Sequence, residues 1–399
     1  MPLGRSLYDV DPEPLPRPPS AGSRDAQDGA RDLAPLIARL PETAQVDSIF
    51  DDAIAALYTG QEVDWGALSE ALETWRPTLF AIATRVAELS PGDLRVPQSF
   101  MRRTWRLLDV FQCEAHWQAR HGDRARPLAI LATLLRLCML LEHPPVGDAR
   151  LTRYHAALIT RSMVLTSFQD ARLFFDAPPD ALVRGRAALG ETAPDLPSFR
   201  AALLGESGQY VATMGAILYN RRGRPFELSG GRTLAIPESA GERGLWLESA
   251  REQIHELMHA GLRALCADHR RTLRTVRQLS VRNGPPRSQG AHPGERLTML
   301  GRAQAFVSEA LHESGLLFAH AHRIWVHAHQ GHALLEGMLH LEEHRQRRGI
   351  WPAALAVARL RSGHDFSDPL TGAELRYELD GDQYRLEIPT ESSALLAGG

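Results

Sequence analysis

His255, Glu256 and His259 form the only H-E-x-x-H motif in the chain. On a helix, two histidines four residues apart point to the same face. Zinc-dependent hydrolases use this spacing, with the imidazoles as metal ligands and the glutamate as general base. The motif therefore makes His255 and His259 candidate zinc ligands and makes Glu256 the candidate catalytic residue.

A catalytic zinc also needs a third protein ligand, and its fourth position is left to water. Cys266 lies on the same helix face as His259, but it is two turns away, about 10 Å along the axis, and cannot share the metal. The downstream segment S-E-A-L-H-E offers Glu309, with Glu313 behind it. We take Glu309 as the candidate third ligand.

The residues around the motif also permit a plainer interpretation. If Ile254 is the centre of the buried stripe, His255 and His259 fall on its flank. Arg251 and Glu252 place charge one turn upstream, where the helices of zinc hydrolases are usually apolar. This pattern favours an amphipathic helix with boundary histidines. The remaining positions of the expected stripe are Leu257, Met258, Gly261 and Leu265.

Further along the chain, histidines are concentrated between residues 312 and 344. Of these, His340 and His344 share a helix face and belong to an H-x-x-E-H sequence, the reversed zinc signature. Two opposite zinc signatures in one histidine-rich chain indicate a compositional bias. A protein that stores or senses metal, or a surface that responds to pH, is the functional alternative. The group comprises His312, His320, His322, His327, His329, His332, His340 and His344.

Composition excludes several classes of function. The net charge is −3, and the positive charges are scattered, so no basic face predicts nucleic-acid binding. Three Cys at long spacings build neither a disulfide framework nor a zinc ribbon. All 45 basic residues are Arg, which excludes a mechanism that needs a Schiff-base lysine.

The N-terminal segment and the hydropathy of the chain predict its location. No run approaches the ~18–20 apolar residues of a transmembrane helix, and the first residues lack the apolar core of a signal peptide. As written, the sequence predicts a cytoplasmic protein. Residues 1–31 are rich in Pro, Asp, Gly and Ser and are predicted to be a disordered lead-in.

At 399 residues, two structural units are expected, and apolar residues at helical spacing predict a mainly α fold. Residues 32–219 are predicted to form a multi-helix array. Residues 220–331 are predicted to form a hairpin-like excursion around Gly230 and Gly231, followed by long helices. The first of these helices covers 244–278, and a second helical stretch starts at 294 and continues to 348. The helices expected in the array are 32–40, 46–58, 64–89, 97–120, 125–141, 148–174, 179–190 and 196–218.

Residues 332–388 are predicted to form a small C-terminal α+β module, followed by a tail over 389–399. In this module one helix ends at Gly349, and a short helix starts at Trp351-Pro352, with proline in its first turn. Alternation over 375–379 and 383–388 predicts a β-hairpin, with Asp380-Gly381 as its turn.

The module also carries a resemblance. Its G-x-W-P-x-x-L (349–355) and D-P-x-T-G-x-x-L-x-Y (368–377) sequences, followed by a hairpin, resemble the tails of a set of uncharacterised bacterial helical proteins. The tails of pseudopilin-like proteins of type II secretion are similar. Many members of that set have an N-terminal membrane anchor before a Pro-rich linker. This chain has the linker without the anchor, so the resemblance implies an exported or membrane-anchored location as an alternative.

From these features we expect a helical scaffold or interaction protein, without catalytic activity and with a protein partner. The first alternative is a zinc-dependent hydrolase that uses His255, Glu256 and His259. The second is a histidine-rich protein that binds or senses metal. We expect no cofactor, and zinc is the alternative for which the sequence supplies candidate ligands.

Overall fold

The structure is a computed structural model that describes residues 44–59, 61–94, 101–143, 151–170, 172–220, 224–228, 232–264 and 299–389. Most of these residues are helical, and a small antiparallel sheet lies near the C-terminus, which confirms the predicted fold class. The predicted lead-in, the helix over 32–40 and the tail over 390–399 lie outside the described residues.

Helices provide the framework. The described helices are α1 (Ala44–Thr59), α2 (Trp65–Glu88), α3 (Met101–Arg120), α4 (Arg126–Glu142), α5 (Leu151–Asp170), α6 (Pro179–Glu191), α7 (Leu196–Asn220), α8 (Ala240–Ala264), α9 (Met299–Arg348) and α10 (Leu355–Ser362). The strands are β1 (Pro225–Leu228), β2 (Arg232–Ala235), β3 (Arg376–Asp380) and β4 (Gln383–Glu387). Strands β1 and β2 pair antiparallel, so the hairpin expected between α7 and α8 is present.

Local sequence explains where several helices begin. The Asp64 carboxylate accepts hydrogen bonds from the N–H groups of Gly66 and Ala67, at 3.1 and 3.0 Å, and so caps α2. Proline occupies the first turn of α4 and of α6, where its missing N–H costs nothing. These boundaries follow from neighbours in sequence.

The end of α5 differs from its prediction. We expected the helix to continue to residue 174, but it ends at Asp170. Arg172 and Asp176 instead adopt positive φ angles of 48° and 57°, and Phe174 between them is fully buried. Arg172 donates a hydrogen bond to the Tyr384 carbonyl in β4, at 2.7 Å. The turn is held by a distant part of the chain, which helical periodicity does not encode.

Helix α9 runs for 50 residues and is helical through Gly315 and Gly331. It packs along α5 and also contacts α6, α8 and β4. A Cβ atom on Gly331 would lie 3.1 Å from a Leu165 methyl group, so glycine permits the close approach of α5 and α9. This helix positions most of the polar clusters described below.

Buried apolar side chains form two clusters. The first combines side chains of α1–α6 with the C-terminal part of α9, α10 and the β3–β4 hairpin. The second combines the start of α5 with α7, β2, α8 and the middle of α9. Helices α5 and α9 contribute to both clusters and therefore join the two halves of the described protein.

The C-terminal hairpin is shifted by one residue from its prediction. Asp380 pairs with Gln383, so Gly381 and Asp382 form the turn. Gly381 has a φ of 57°, the conformation that a tight hairpin turn needs at this position and that glycine adopts readily. Helix α10 begins at Leu355, so the prediction that it starts at Trp351-Pro352 was wrong.

The signature residues of this module hold its turns together. The Trp351 indole N–H donates to the Asp382 carbonyl at 2.8 Å, and the Tyr377 hydroxyl donates to the Pro352 carbonyl at 2.8 Å. Trp351 and Pro352 are buried against the hairpin, which explains why no helix begins there.

Asp368 explains the D-P-x-T-G sequence. Its buried carboxylate accepts hydrogen bonds from the Leu370 N–H at 3.1 Å and from the Thr371 hydroxyl at 2.6 Å. It also accepts one from the Gln330 side-chain amide in α9, at 2.9 Å. The sequence therefore fixes a turn and fastens it to α9.

Candidate functional site

The H-E-x-x-H motif lies near the C-terminal end of α8. Trp246, Ala250 and Ile254 point into the second apolar cluster at helical spacing. His255 is exposed and His259 is half-buried on the flank of this stripe, as the sequence predicted. Leu257, Met258, Gly261 and Leu265 lie outside the described side chains.

The two imidazoles face each other. Their Nε2 atoms are 3.1 Å apart, and their ring centroids are 4.1 Å apart. Burial lowers the pKa of His259, and the neighbouring His255 and Arg263 lower it further. His259 is therefore neutral at neutral pH and offers a lone pair to a ligand.

The rest of the predicted zinc site is not assembled by the described side chains. Glu256 is exposed. Glu309 lies in α9, but its side chain is outside the described part, as is that of Glu313. Glu309 as third ligand therefore stays a prediction. Among the described side chains, no third carboxylate or imidazole joins His255 and His259 in a set with metal-ligand spacing.

A different set does have that spacing. Glu336 and His340 lie one turn apart on α9, and His364 follows α10. One ligand atom from each lies within 4.8 Å of the other two. His364 Nδ1 is 3.7 Å from Glu336 Oε1, while the His340 and His364 rings stack at 4.6 Å with 25° between their planes. Because the stacked rings do not direct their lone pairs to one point, a common ligand would require the His364 ring to rotate.

The electrostatics keep both histidines neutral. Burial, with Arg186 and His364, lowers the pKa of His340 to about 3. Burial also lowers the pKa of His364, against the opposing effect of Glu336 and Asp365. Neither ring is protonated at neutral pH, so protons do not compete with a metal for the lone pairs.

Arg186 borders this set. Its Nη1 atom is 2.9 Å from His340 Nδ1, and its Nη2 atom is 2.8 Å from a Glu343 carboxylate oxygen. Glu343 also pairs with Arg347. Glu343 is thus engaged with arginines and lies beside the candidate ligands.

The reversed zinc signature identified one member of the set and missed the others. Of the signature residues, His340 belongs to the set with metal-ligand spacing, but His344 and Glu343 do not. Instead, Glu336 precedes His340 by four residues, a spacing that is visible in the sequence but that neither zinc signature includes. His364 is 24 residues further on, and no local pattern could have paired it with His340.

A Ser/His/Asp group also occurs where α4 and α7 meet. Ser198 Oγ lies 2.6 Å from His143 Nε2, and Asp195 Oδ2 lies 2.8 Å from both. His143 Nδ1 donates to the Met139 carbonyl at 2.8 Å. In a catalytic triad the serine and the carboxylate contact different imidazole nitrogens, whereas here both contact Nε2.

This group caps a helix. Asp195 accepts a hydrogen bond from the Ser198 N–H at 2.7 Å, directly before α7 begins. His143 follows the last residue of α4, so its contact with Asp195 ties the end of one helix to the start of another. We assign the group to stability and not to catalysis.

The cap should make stability depend on pH. The hydrogen bond to Asp195 raises the pKa of His143. Partial burial alone would raise the pKa of Asp195, but hydrogen bonds from His143 and Ser198 outweigh it and lower that pKa to about 2. The pair's contribution is therefore complete between about pH 4 and 6.5, the unfolded values of Asp and His. It is lost as pH rises through the raised pKa of His143, or falls through about 2.

We expect His143→Gln to lower the free energy of unfolding by about 1 kcal/mol at pH 5.5, because the pair is partly exposed. The difference should shrink towards pH 9. Urea unfolding of both proteins at several pH values measures it, with the exposed His121→Gln as control. A difference that stays constant from pH 5.5 to 9 would contradict the assigned ion pair.

Comparison with protein-family models, curated proteins and solved structures found no match for this chain. Across the described helices, none is both long enough and apolar enough to cross a membrane. The resemblance of the C-terminal module to pseudopilin-like tails stays a prediction. The geometry of the side chains is therefore the basis on which a function can be proposed.

Proposed function

We propose that this protein is a helical scaffold or interaction protein whose C-terminal module is fastened by a divalent transition-metal ion. Glu336, His340 and His364 would hold the ion. One observation carries the proposal: a carboxylate and two imidazoles from two separate segments place their ligand atoms within 4.8 Å of one another. The proposal assigns the metal a structural role and the protein no catalytic one.

The ligand types select the metal. Two neutral imidazoles and one carboxylate suit Zn(II) and related first-row ions such as Co(II) and Ni(II). Mg(II) and Ca(II) prefer sites built from oxygen atoms. The lowered pKa values of His340 and His364 support this choice, since both rings are neutral imidazoles at neutral pH.

The position of the set supports the scaffold role. Glu336 and His340 lie on α9, while His364 lies between α10 and β3. Next to them, Phe366 and Leu386 of the module pack over Gly337, within 3.2 and 3.1 Å of where a Cβ atom would stand. A metal at this place would add a further link between α9 and the module that packs on it.

Arg186 is compatible with the ion because it has a second partner. A bound cation would repel the guanidinium from His340, and Glu343 would retain it through the contact already present at 2.8 Å. Metal binding would thus remove the contact of Arg186 with His340, while the ion pair with Glu343 would keep the guanidinium paired.

The zinc-hydrolase alternative has weaker support. A general base works best beside a metal in a cleft that excludes water. Glu256 and His255 are exposed on α8. We therefore place the structural metal at the α9 set.

Zinc binding by His364 variants tests the proposal. Because His364 is less buried than His340, His364→Ala should leave the fold intact and weaken one equivalent of Zn(II) binding by about tenfold or more. Titration calorimetry measures the affinity, and Co(II) absorption reports the ligand set. Glu336→Gln should weaken the same equivalent.

His344→Ala is the matched control, because His344 is the partner that the reversed zinc signature would use. It should bind zinc as the parent protein does. Loss of zinc in His344→Ala with normal binding in His364→Ala would contradict the proposed set. Equal binding in all three variants would contradict a metal site here.

A further inference from the structure

The imidazoles of His255 and His259 are spaced as two ligands of one metal ion would be. With metal–nitrogen bonds of about 2.05 Å, two ligand nitrogens lie about 2.9 Å apart at a right angle and about 3.3 Å apart at a tetrahedral angle. The observed Nε2–Nε2 separation of 3.1 Å falls between these values. Bringing the rings to a common ion therefore needs little movement of the side chains.

A proton shared between the two nitrogens accounts for the same contact in the absence of metal. Two neutral imidazoles can form one N–H···N hydrogen bond at this distance. Before both Nε2 atoms could bind one divalent ion, the ring that donates this proton would have to carry it on Nδ1 instead, so that each Nε2 has a lone pair.

Exposure distinguishes this pair from a catalytic zinc centre. His255 and the neighbouring Glu252 and Glu256 are exposed, so water can fill the other coordination positions. Arg251, one turn before His255, pairs with Glu248 at 3.1 Å, and both side chains are exposed. Arg263 is a cation whose charge acts on His259.

We propose that His255 and His259 form a second, open metal site that chelates one Ni(II), Cu(II) or Zn(II) ion between two imidazoles. It is independent of the set on α9, because it uses residues of α8 alone. Copper and nickel should bind more tightly than cobalt, as imidazole sites generally follow the Irving–Williams order.

Nickel titration of the full chain in a His364→Ala background tests this site separately from the α9 site. The background protein should bind one equivalent of Ni(II) at α8. Adding His259→Ala should weaken that equivalent by about tenfold or more, since a chelate becomes a single ligand. Adding His121→Ala, which removes an exposed histidine elsewhere, should leave it unchanged.

A rescue variant tests the geometry. Arg251→His, added to His259→Ala, places an imidazole four residues before His255 on the exposed face and should restore binding. Failure of rescue, or unchanged nickel binding in His259→Ala, would overturn the proposal. Glu309→Gln should have no effect, and loss of nickel in that variant would replace the open chelate with a three-ligand site.

The two proposals fail separately. If His364→Ala changes no metal affinity but His259→Ala does, the α9 site is wrong and the α8 chelate stands. If only His364→Ala weakens binding, the α8 chelate is wrong and the α9 site stands.

Discussion

Replacing Arg161 with methionine is expected to lower the free energy of unfolding by about 3–5 kcal/mol. Arg161 is fully buried between α4, α5 and α9. Methionine would leave the buried Glu142 carboxylate without its cation, and an unpaired buried charge is strongly destabilising. Chemical denaturation of parent and variant at neutral pH gives the difference directly.

The geometry shows why the loss should be large. Arg161 Nε and Nη2 donate to the two Glu142 oxygens, at 2.6 and 2.8 Å. Its Nη1 donates to the Thr192 carbonyl at 2.6 Å and to His332 Nε2 at 2.9 Å. Burial, Arg161 and His329 hold the pKa of His332 well below its usual value, so His332 accepts as a neutral ring. One side chain therefore satisfies three partners from distant segments.

Two controls distinguish the loss of the buried ion pair from the loss of any arginine side chain. Arg161→Met combined with Glu142→Met removes both charges and should recover a large part of the lost stability. Arg184→Met breaks an exposed pair with Asp180 and should leave the free energy of unfolding nearly unchanged. An Arg161→Met cost no larger than that of Arg184→Met would show that the pair contributes little.

Trp351→Ala is expected to lower the free energy of unfolding by about 3–5 kcal/mol. The Trp351 side chain is 9% exposed, and its ring lies 4.5 Å from Tyr384 and 5.8 Å from Phe175. The Arg345 guanidinium stands over the same ring at 5.1 Å. Truncation would remove these contacts together and leave a cavity between the hairpin and α9.

A conservative variant separates the contribution of the Trp351 hydrogen bond from that of its packing, and an exposed neighbour serves as control. Trp351→Phe retains apolar area and loses the hydrogen bond to Asp382, so it should cost less than alanine, with about 1 kcal/mol from the bond. Ile350→Ala, at a neighbouring residue that is 70% exposed, should change stability by about 0.5 kcal/mol or less. Thermal unfolding of the three variants tests this order. Equal effects of Trp351→Ala and Ile350→Ala would contradict a packing role.

The sequence determined much of the local structure. Apolar spacing and caps predicted most helices to within a few residues, as for α4, expected over 125–141 and observed as Arg126–Glu142. The same spacing placed His255 and His259 on the flank of α8. These properties depend on residues within one or two turns, and such residues are adjacent in the sequence.

The sequence also predicted the C-terminal hairpin but misplaced its turn and the start of α10. Gly381 could serve as the first or the second turn residue, and the pairing of Asp380 with Gln383 decides between them. Trp351 is drawn into contact with Asp382 instead of starting a helix. Both corrections come from strand pairing and from contacts between segments, which compete with local preferences.

Only the tertiary structure joined Glu336 and His340 to His364, and Arg161 to His332. Arg161 and His332 are 171 residues apart in the chain and 2.9 Å apart in space. Periodicity tells which face of a helix a side chain occupies, but it does not tell which other helix that face meets. The packing of α9 against α5 supplies that information for Arg161 and His332, and the packing of α9 against α10 brings His364 to Glu336 and His340.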